Sequence, residues 1–146
     1  MAEQNPVLFE KIIEVRWSDC DANRHMRHTA YSDLCAHTRI CYFSRIGMGG
    51  EWTKEHNIGP VLFKEETEYK REANMGEQLK ITVEAGEPTG FTKSIQMVQN
   101  LYKESGELAA SHKCVVAWMD LSLRRVIELP GQISKDFIVQ SKLKES

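Results

Sequence analysis

The chain has 146 residues, a length that suits one domain with a single core, and we therefore expect residues 1–146 to form one domain. With 41% hydrophobic and 27% charged residues it has the composition of an ordinary soluble globular protein, and a formal net charge of −2 gives no electrostatic reason to expect nucleic-acid binding. No segment approaches the roughly 20 apolar residues that a membrane-spanning helix needs, so we expect no membrane partner.

Two features of the sequence favour a reducing compartment. The N-terminal residues have neither the basic segment nor the apolar stretch of a secretory signal. The four cysteines, at positions 20, 35, 41 and 114, are scattered and form no CxxC pair, which argues against a disulfide framework and against a zinc site. We therefore expect a cytoplasmic protein whose cysteines are small apolar groups.

The first predicted elements are a strand and a long helix joined by a polar loop. Residues 9–16 place apolar side chains among charged neighbours, which indicates a strand. Residues 29–46 contain many apolar side chains and no Gly or Pro, which predicts a helix covered on most sides, and three glycines within residues 47–50 end it. Residues 51–60 show no period and are predicted to be a loop that borders a pocket.

The rest of the chain has the pattern of antiparallel strands joined by tight turns. Alternating apolar and polar residues predict strands over residues 61–70, 79–85, 91–102 and 108–119, then a short strand at 124–128 and one or two helical turns after Pro130. One helix near the start followed by antiparallel strands indicates an α+β domain.

In the strand at residues 61–70, one predicted apolar face contains a charged residue. That face comprises Val61, Phe63, Thr67 and Tyr69, and Glu65 falls on it. Either a bulge turns Glu65 outward, or Glu65 is a carboxylate inside a pocket.

The polar loop between the first strand and the helix concentrates titratable groups. Within ten residues it contains Asp19, Asp21, His25 and His28. The run Asp19-x-Asp21-x-Asn23 begins like a calcium-binding EF-hand loop, but Arg24 stands where that loop needs Gly, and Ala30 stands where it needs Glu. A transition metal held by imidazoles and carboxylates is a further alternative, but no separate cluster completes its coordination, so we expect no metal.

The predicted helix begins directly after this loop. Its first backbone N–H groups have no partner within the helix and carry a partial positive charge, so they can hold an anion or a developing oxyanion. A carboxylate and such a helix end are the minimum that the hydrolysis of an ester or a thioester requires. On spacing alone, however, a helix cap or a turn explains Asp21 better than catalysis does.

The residues around Asp21 resemble the motif of a known enzyme family. Asp-Cys-Asp-Ala, with His28 seven residues after the second Asp and Tyr31 three residues later, resembles the signature of hotdog-fold acyl-CoA thioesterases of the 4-hydroxybenzoyl-CoA thioesterase type. The spacing Asp-x-Asn-x-His-Met-x-x-x-x-Tyr is also similar to the fatty acyl-CoA branch, which usually has Gly where this chain has Arg24. The resemblance extends weakly over about residues 9–130 and implies a hotdog fold, in which an antiparallel sheet wraps one long central helix.

The resemblance implies hydrolysis of an acyl thioester, with a coenzyme A thioester as the substrate and no cofactor. Asp21 takes the position of the catalytic carboxylate, which acts either as a nucleophile or as a general base on water. The backbone N–H of His28, together with that of Thr29, would stabilise the oxyanion. Asp19 is then a structural residue.

Several further residues are candidates for binding the substrate. They are Asn23, His25, Thr29 and Tyr31 near the motif, Glu65 in the following strand and Lys93 after a later turn. His25 could instead fix the loop, and Tyr31 could be a packing residue. The 4-hydroxybenzoyl branch holds the nucleotide phosphates with an Arg/Lys-rich turn, whereas the matching turn here, residues 87–91, has only Lys93 beyond it. A carrier-protein thioester, or a basic patch at residues 124–125, therefore remains open.

Two other functional classes are compatible with the sequence. One is a hotdog dehydratase or hydratase, which pairs a His with a carboxylate on opposite sides of a shared site; here both kinds of group are concentrated in one loop, which counts against this class. The other is a non-catalytic module that binds acyl thioesters. A single sheet around one helix leaves an edge strand uncovered, so we expect a homodimer or homotetramer with the pocket at the subunit interface, as the resemblance also implies.

Overall fold

The computed structural model describes residues 6–138, which form an antiparallel sheet with a long helix against its inner face. The strands are β1 (Val7–Glu14), β2 (Ile58–Tyr69), β3 (Gln78–Ala85), β4 (Ser94–Lys103), β5 (Leu108–Asp120) and β6 (Arg125–Val126). The helices are α1 (His28–Arg45), α2 (Gly50–His56) and α3 (Gly131–Ile133), and a π-helical turn, Ser134–Ile138, continues α3. Within the described residues, no helix has the length and apolar character needed to cross a membrane.

The sheet has the strand order β1-β3-β4-β5-β2, and every neighbouring pair is antiparallel. The short β6 pairs with the end of β5. Two strands, β1 and β2, are therefore the edges of this sheet. The helix α1 lies across the inner face and packs mainly against β3, β1 and β5. This arrangement confirms the predicted α+β class.

Two clusters of buried apolar residues hold α1 on the sheet. The first half of α1 contributes Tyr31 and Leu34 to one cluster, which includes Leu79, Ile81 and Leu101 of the sheet. The second half contributes Tyr42 and Phe43 to the other cluster, with Met97, Val116, Trp118 and, from the C-terminal turns, Ile133 and Phe137. Burying one large apolar side chain contributes about 1.5–3 kcal/mol. The two clusters therefore fix where α1 begins relative to the loop before it.

The predicted loop over residues 51–60 is wrong. Gly50–His56 forms α2, and Ile58 already belongs to β2. No residue of α2 is fully buried, so no apolar period marks this helix in the sequence. Asn57 ends α2 with a φ of 55°, in the left-handed region that Asn tolerates. The other predicted strands, α1 and the helical turns after Pro130 are confirmed, with ends that differ by no more than three residues.

The predicted apolar face of β2, which began with Val61 and Phe63, is wrong in the first half of the strand. A bulge between Leu62 and Lys64 adds one residue and moves the alternation to the other side of the sheet. Leu62 and Glu65 each stand opposite a core residue of β5, so both face α1. Glu65 is nevertheless exposed, because β2 is an edge strand.

Candidate active site

Asp19 anchors the loop between β1 and α1. Its carboxylate accepts three hydrogen bonds from Arg16, one from the backbone N–H at 2.9 Å and two from the guanidinium at 3.0 and 3.1 Å. These hydrogen bonds lower the pKa of the buried Asp19 below its usual value. The Asp19 carbonyl also accepts the N–H of Arg27 at 2.8 Å, which ties the loop to the residue before α1. Asp19 is therefore a structural residue of the loop.

Asp21 is held by a turn at the tip of the same loop. Its Oδ1 accepts the N–H of Asn23 at 2.9 Å, and its own N–H donates to the carbonyl of His25 at 2.9 Å. Its carbonyl accepts the N–H of Arg24 at 3.0 Å. Arg24 has a φ of 68°, a left-handed conformation that Gly adopts without steric cost and that other residues disfavour. The turn presents the Asp21 carboxylate to solvent.

The start of α1 offers two backbone N–H groups beside Asp21. No oxygen of residues 6–138 accepts a hydrogen bond from the N–H of His28 or Thr29, whereas the N–H of Ala30 donates to the carbonyl of Arg27 at 2.9 Å. Free N–H groups at the positive end of a helix dipole can stabilise a negatively charged oxygen. The hydroxyl of Tyr69 donates to the His28 carbonyl at 3.3 Å, which holds the start of α1 against β2.

Asp21 and His28 both line one cleft of about 390 Å³. Its lining includes five residues predicted from the sequence, namely Asp21, Asn23, His25, His28 and Tyr31. The ring of Tyr31 packs edge-on against Tyr69, with 5.1 Å between the ring centroids, and Tyr31 is buried. The Nε2 atom of His25 lies 3.0 Å from the carboxylate of Glu72. His25 and Tyr31 thus join the loop and α1 to the end of β2.

Two of the remaining predicted residues lie on neighbouring elements outside the cleft lining. Thr29 contributes its N–H at the start of α1, but its hydroxyl is held by the guanidinium of Arg27. Glu65 lies on the inner face of β2, four residues before Tyr69, or about 13 Å along the strand. The substrate contacts of Thr29 and Glu65 stay predictions.

Lys93 lies far from the cleft, near the other end of the sheet. Its ammonium is 3.8 Å from the carboxylate of Glu128. The residue after Lys93 pairs with Ala117 of β5, whereas Tyr69 pairs with Ala110, and seven residues of a strand span about 23 Å. A contact between Lys93 and a substrate bound in this cleft would therefore require a long ligand.

The sequence did not predict that the end of β2 and the residues just after it form one wall of the cleft. This wall comprises Tyr69, Lys70, Arg71 and Glu72. Its two cations are exposed and take part in ion pairs, Lys70 with Glu68 at 2.8 Å and Arg71 with Glu107 at 3.2 Å. No local motif marks these residues, because only the pairing of β2 with β5 brings them beside the start of α1.

Two other kinds of active site have less support in the structure. Within residues 6–138, no group of three or more His, Cys, Asp and Glu side chains could hold a metal ion. A larger cleft, of about 620 Å³, lies on the outer face of β1, β3 and β4 and includes Glu10, Lys80 and Glu84. It contains neither the start of a helix nor a residue of the Asp21 loop. The smaller cleft, which has both a carboxylate and a free backbone N–H group, is therefore better suited to acyl transfer.

A model of the thioesterase-like superfamily matches residues 15–137. The match includes the Asp21 loop, all three helices and every strand except β1. No curated protein matches the sequence.

Solved structures share this architecture at low sequence identity. A Staphylococcus aureus protein in complex with CoA is 18% identical, with a TM-score of 0.83 over 97% of this chain and 88% of that chain. A putative thioesterase from Pseudomonas aeruginosa is 21% identical, with a TM-score of 0.79 over 88% and 97%. A 1,4-dihydroxy-2-naphthoyl-CoA thioesterase from Synechocystis is 13% identical, with a TM-score of 0.76 over 94% and 98%. These similarities confirm the predicted hotdog fold.

Proposed function

We propose that the cleft of this chain, which belongs to the thioesterase-like superfamily, hydrolyses the thioester of an acyl-coenzyme A. Asp21 is the catalytic carboxylate of this proposal. Membership of that superfamily confirms the predicted thioester hydrolase activity. One observation supports the assignment of the residues: the exposed Asp21 and His28, whose backbone N–H has no hydrogen-bond partner among residues 6–138, line one cleft, and the N–H of Thr29 follows directly on α1.

In the proposed reaction, the carbonyl oxygen of the thioester lies at the start of α1. The N–H groups of His28 and Thr29 stabilise the negative charge that develops on this oxygen. Asp21 either takes a proton from a water molecule that attacks the carbonyl carbon, or attacks that carbon itself to give a mixed anhydride that water then hydrolyses. In both routes the bond between carbon and sulfur breaks, and the released thiolate takes up a proton.

Two observations support a coenzyme A thioester as the substrate. Solved structures with the same fold include a complex with CoA and an enzyme named for a CoA thioester. Lys70 and Arg71 are exposed cations on the wall of the cleft, and each can exchange its ion pair with a glutamate for a phosphate of the thiol that leaves. Asn23 and His25 line the same cleft and are proposed to contact the thiol portion of the substrate.

The edge strand β2 supports a homodimer. It has 12 residues, and Leu62 and Tyr69 on its inner face are 44% and 52% exposed. An exposed apolar edge favours pairing with another strand. We therefore infer that β2 pairs with its copy and places the cleft at a subunit interface, with a pair of dimers as the alternative. Sedimentation at micromolar concentration should give two or four times the chain mass, and a monomer would contradict the shared site.

One domain over residues 1–146 and a cytoplasmic location are further proposals.

Thiol release from a panel of acyl-CoA thioesters tests the role of Asp21. Asp21→Asn keeps the shape of the side chain and its bond to the Asn23 N–H, but an amide can neither accept the proton of water nor attack a carbonyl effectively. We expect turnover to fall by roughly 10² or more, with folding and substrate affinity retained. Glu51→Gln, which neutralises an exposed carboxylate on α2, is the control and should keep its turnover. Near-normal turnover of Asp21→Asn would reject the mechanism.

A further inference from the structure

The larger cleft, on the outer face of the sheet, contains a buried carboxylate without a cation. Glu84 of β3 lines this cleft of about 620 Å³ and is only 4% exposed. Its Oε2 accepts hydrogen bonds from the hydroxyl of Thr82 and from Nδ2 of Asn100, the latter at 2.9 Å. Among residues 6–138, no donor bonds to its Oε1, and no Lys, Arg or His nitrogen lies within 4.0 Å of the carboxylate. Because a buried charge is costly unless it is paired, this carboxylate lacks the partner that its charge requires.

The strands β3 and β4 part beside this carboxylate. Their pairing keeps one register along its length, but no pair forms at Thr82 and Val83. There, the backbone N–H of Asn100 on β4 donates to the side-chain oxygen of Thr82 at 2.9 Å. The Thr82 hydroxyl thus accepts from Asn100 and donates to Glu84, so both strands are organised around the carboxylate. This arrangement fixes Oε2 of Glu84 and leaves Oε1 for a ligand.

The two lysines of the cleft do not neutralise Glu84. Nζ of Lys80 lies 5.5 Å from the centroid of the Tyr102 ring. Nζ of Lys103 lies 3.4 Å from the carboxylate of Glu77. Neither ammonium is within ion-pair distance of Glu84, so the cleft can accept a positively charged ligand there.

The other walls of the cleft favour an apolar chain on that ligand. Val7 and Ile12 of β1 are 52% and 65% exposed, and both line the cleft together with Tyr102. A metal ion fits poorly, because within residues 6–138 no three His, Cys, Asp or Glu side chains gather to hold one. A charged N–H donor fits the free oxygen of Glu84 best, since hydrogen bonds between charged groups are the strong ones.

We propose that the outer cleft is a binding site for a primary alkylamine. The ammonium group of the amine donates to Oε1 of Glu84, and its alkyl chain covers Val7 and Ile12. Such an amine is protonated at pH 7, as a Lys side chain is. The inference does not rest on the proposed function, because this cleft shares no lining residue with the cleft of Asp21.

Three six-carbon compounds test the site by calorimetry at pH 7. Hexylamine, hexanol and hexanoate differ only in their polar end. We expect hexylamine to bind with a Kd of about 1 mM or lower, at least about tenfold below the Kd of hexanol, because its donor is charged. Hexanoate should not bind, since Glu84 repels it. Equal affinities for the amine and the alcohol would overturn the inference. So would a lack of binding, which is the result expected if a second copy of the chain covers the cleft.

A substitution of Glu84 and a matched control locate the bound amine. Glu84→Gln keeps an oxygen that accepts from Thr82 and Asn100 but removes the charge, and should weaken hexylamine binding at least about tenfold. Glu14→Gln, at an exposed carboxylate of β1 on the same outer face, should keep the affinity of the wild type. An unchanged affinity of Glu84→Gln would overturn the proposal.

Nuclear magnetic resonance of the wild type gives a readout that needs no variant. The backbone and side-chain amide signals of Asn100 should shift as hexylamine is added, because Asn100 bonds to the same carboxylate as the amine. The amide signals of Asp21 and Asn23, in the smaller cleft, should stay unchanged. Shifts confined to the smaller cleft would place the amine there and reject the outer site.

Discussion

Arg24 shows how one residue of the loop adopts a conformation that its side chain disfavours. A φ of 68° destabilises the folded state by about 1 kcal/mol or more for a residue other than Gly. For Gly, the main cost is the larger conformational entropy of the unfolded chain. We expect Arg24→Gly to raise the free energy of unfolding by about 0.5 kcal/mol. Denaturation with urea measures this change. Asn23→Gly, at a neighbour without a positive φ, is the control and should lower stability instead. A loss of stability in Arg24→Gly would show that contacts of the Arg24 side chain stabilise the fold by more than its backbone conformation destabilises it.

The residues of the site differ in how far the sequence could reveal them. Asp21, His28 and Tyr31 are close in the chain, and local turns and the first turn of α1 bring them together, so their spacing carried the signal. Lys70 and Arg71 reach the same cleft only because β2 runs antiparallel to β5 and returns to the start of α1. Their position depends on long-range pairing, which a local pattern does not encode.

At the scale of elements, alternating apolar and polar residues predicted most strands, and a long apolar stretch that three glycines end predicted α1. It missed α2, whose seven residues include no fully buried side chain. It also missed the bulge in β2, where one added residue reverses the faces of the first half of the strand. Both errors arise where tertiary contacts rather than local periodicity determine the structure.

A half-buried hydrogen bond joins the C-terminal turns to α1, beside the apolar packing of Ile133 and Phe137. The hydroxyl of Tyr42, which is 2% exposed, donates to Oδ2 of Asp136 at 2.6 Å. Tyr42→Phe keeps the aromatic packing with Phe137 but leaves a carboxylate oxygen without its donor. A hydrogen bond to a charged group contributes about 1.5–3 kcal/mol, so we expect unfolding by urea to show a loss of about 2 kcal/mol. Asp136→Asn retains an oxygen acceptor and should cost less. Equal stability of Tyr42→Phe and the wild type would contradict this attachment.

At the scale of the whole molecule, His112 couples stability to pH. Burial, assisted by Arg39, lowers its pKa to about 4, whereas an unfolded His titrates near ~6.5. Between these values the unfolded chain binds a proton that the folded chain does not, so His112 contributes a decrease in the free energy of unfolding as the pH falls from about 6.5 to about 4. A difference of about 2.5 pKa units corresponds to about 3 kcal/mol. Above pH 7 the ring is neutral in both states and contributes no slope.

Urea unfolding of the wild type and of His112→Asn at several pH values tests this coupling. The variant keeps an amide that can bond with Thr67 but has no titrating ring, so it should be less stable at pH 7 and have a flatter profile between pH 6.5 and 4. His56→Gln, at an exposed ring on α2, is the control and should keep the slope of the wild type. If His112→Asn retains the full slope, the loss of stability in acid must come from other groups, and His112 would have to be charged or solvated in the folded protein.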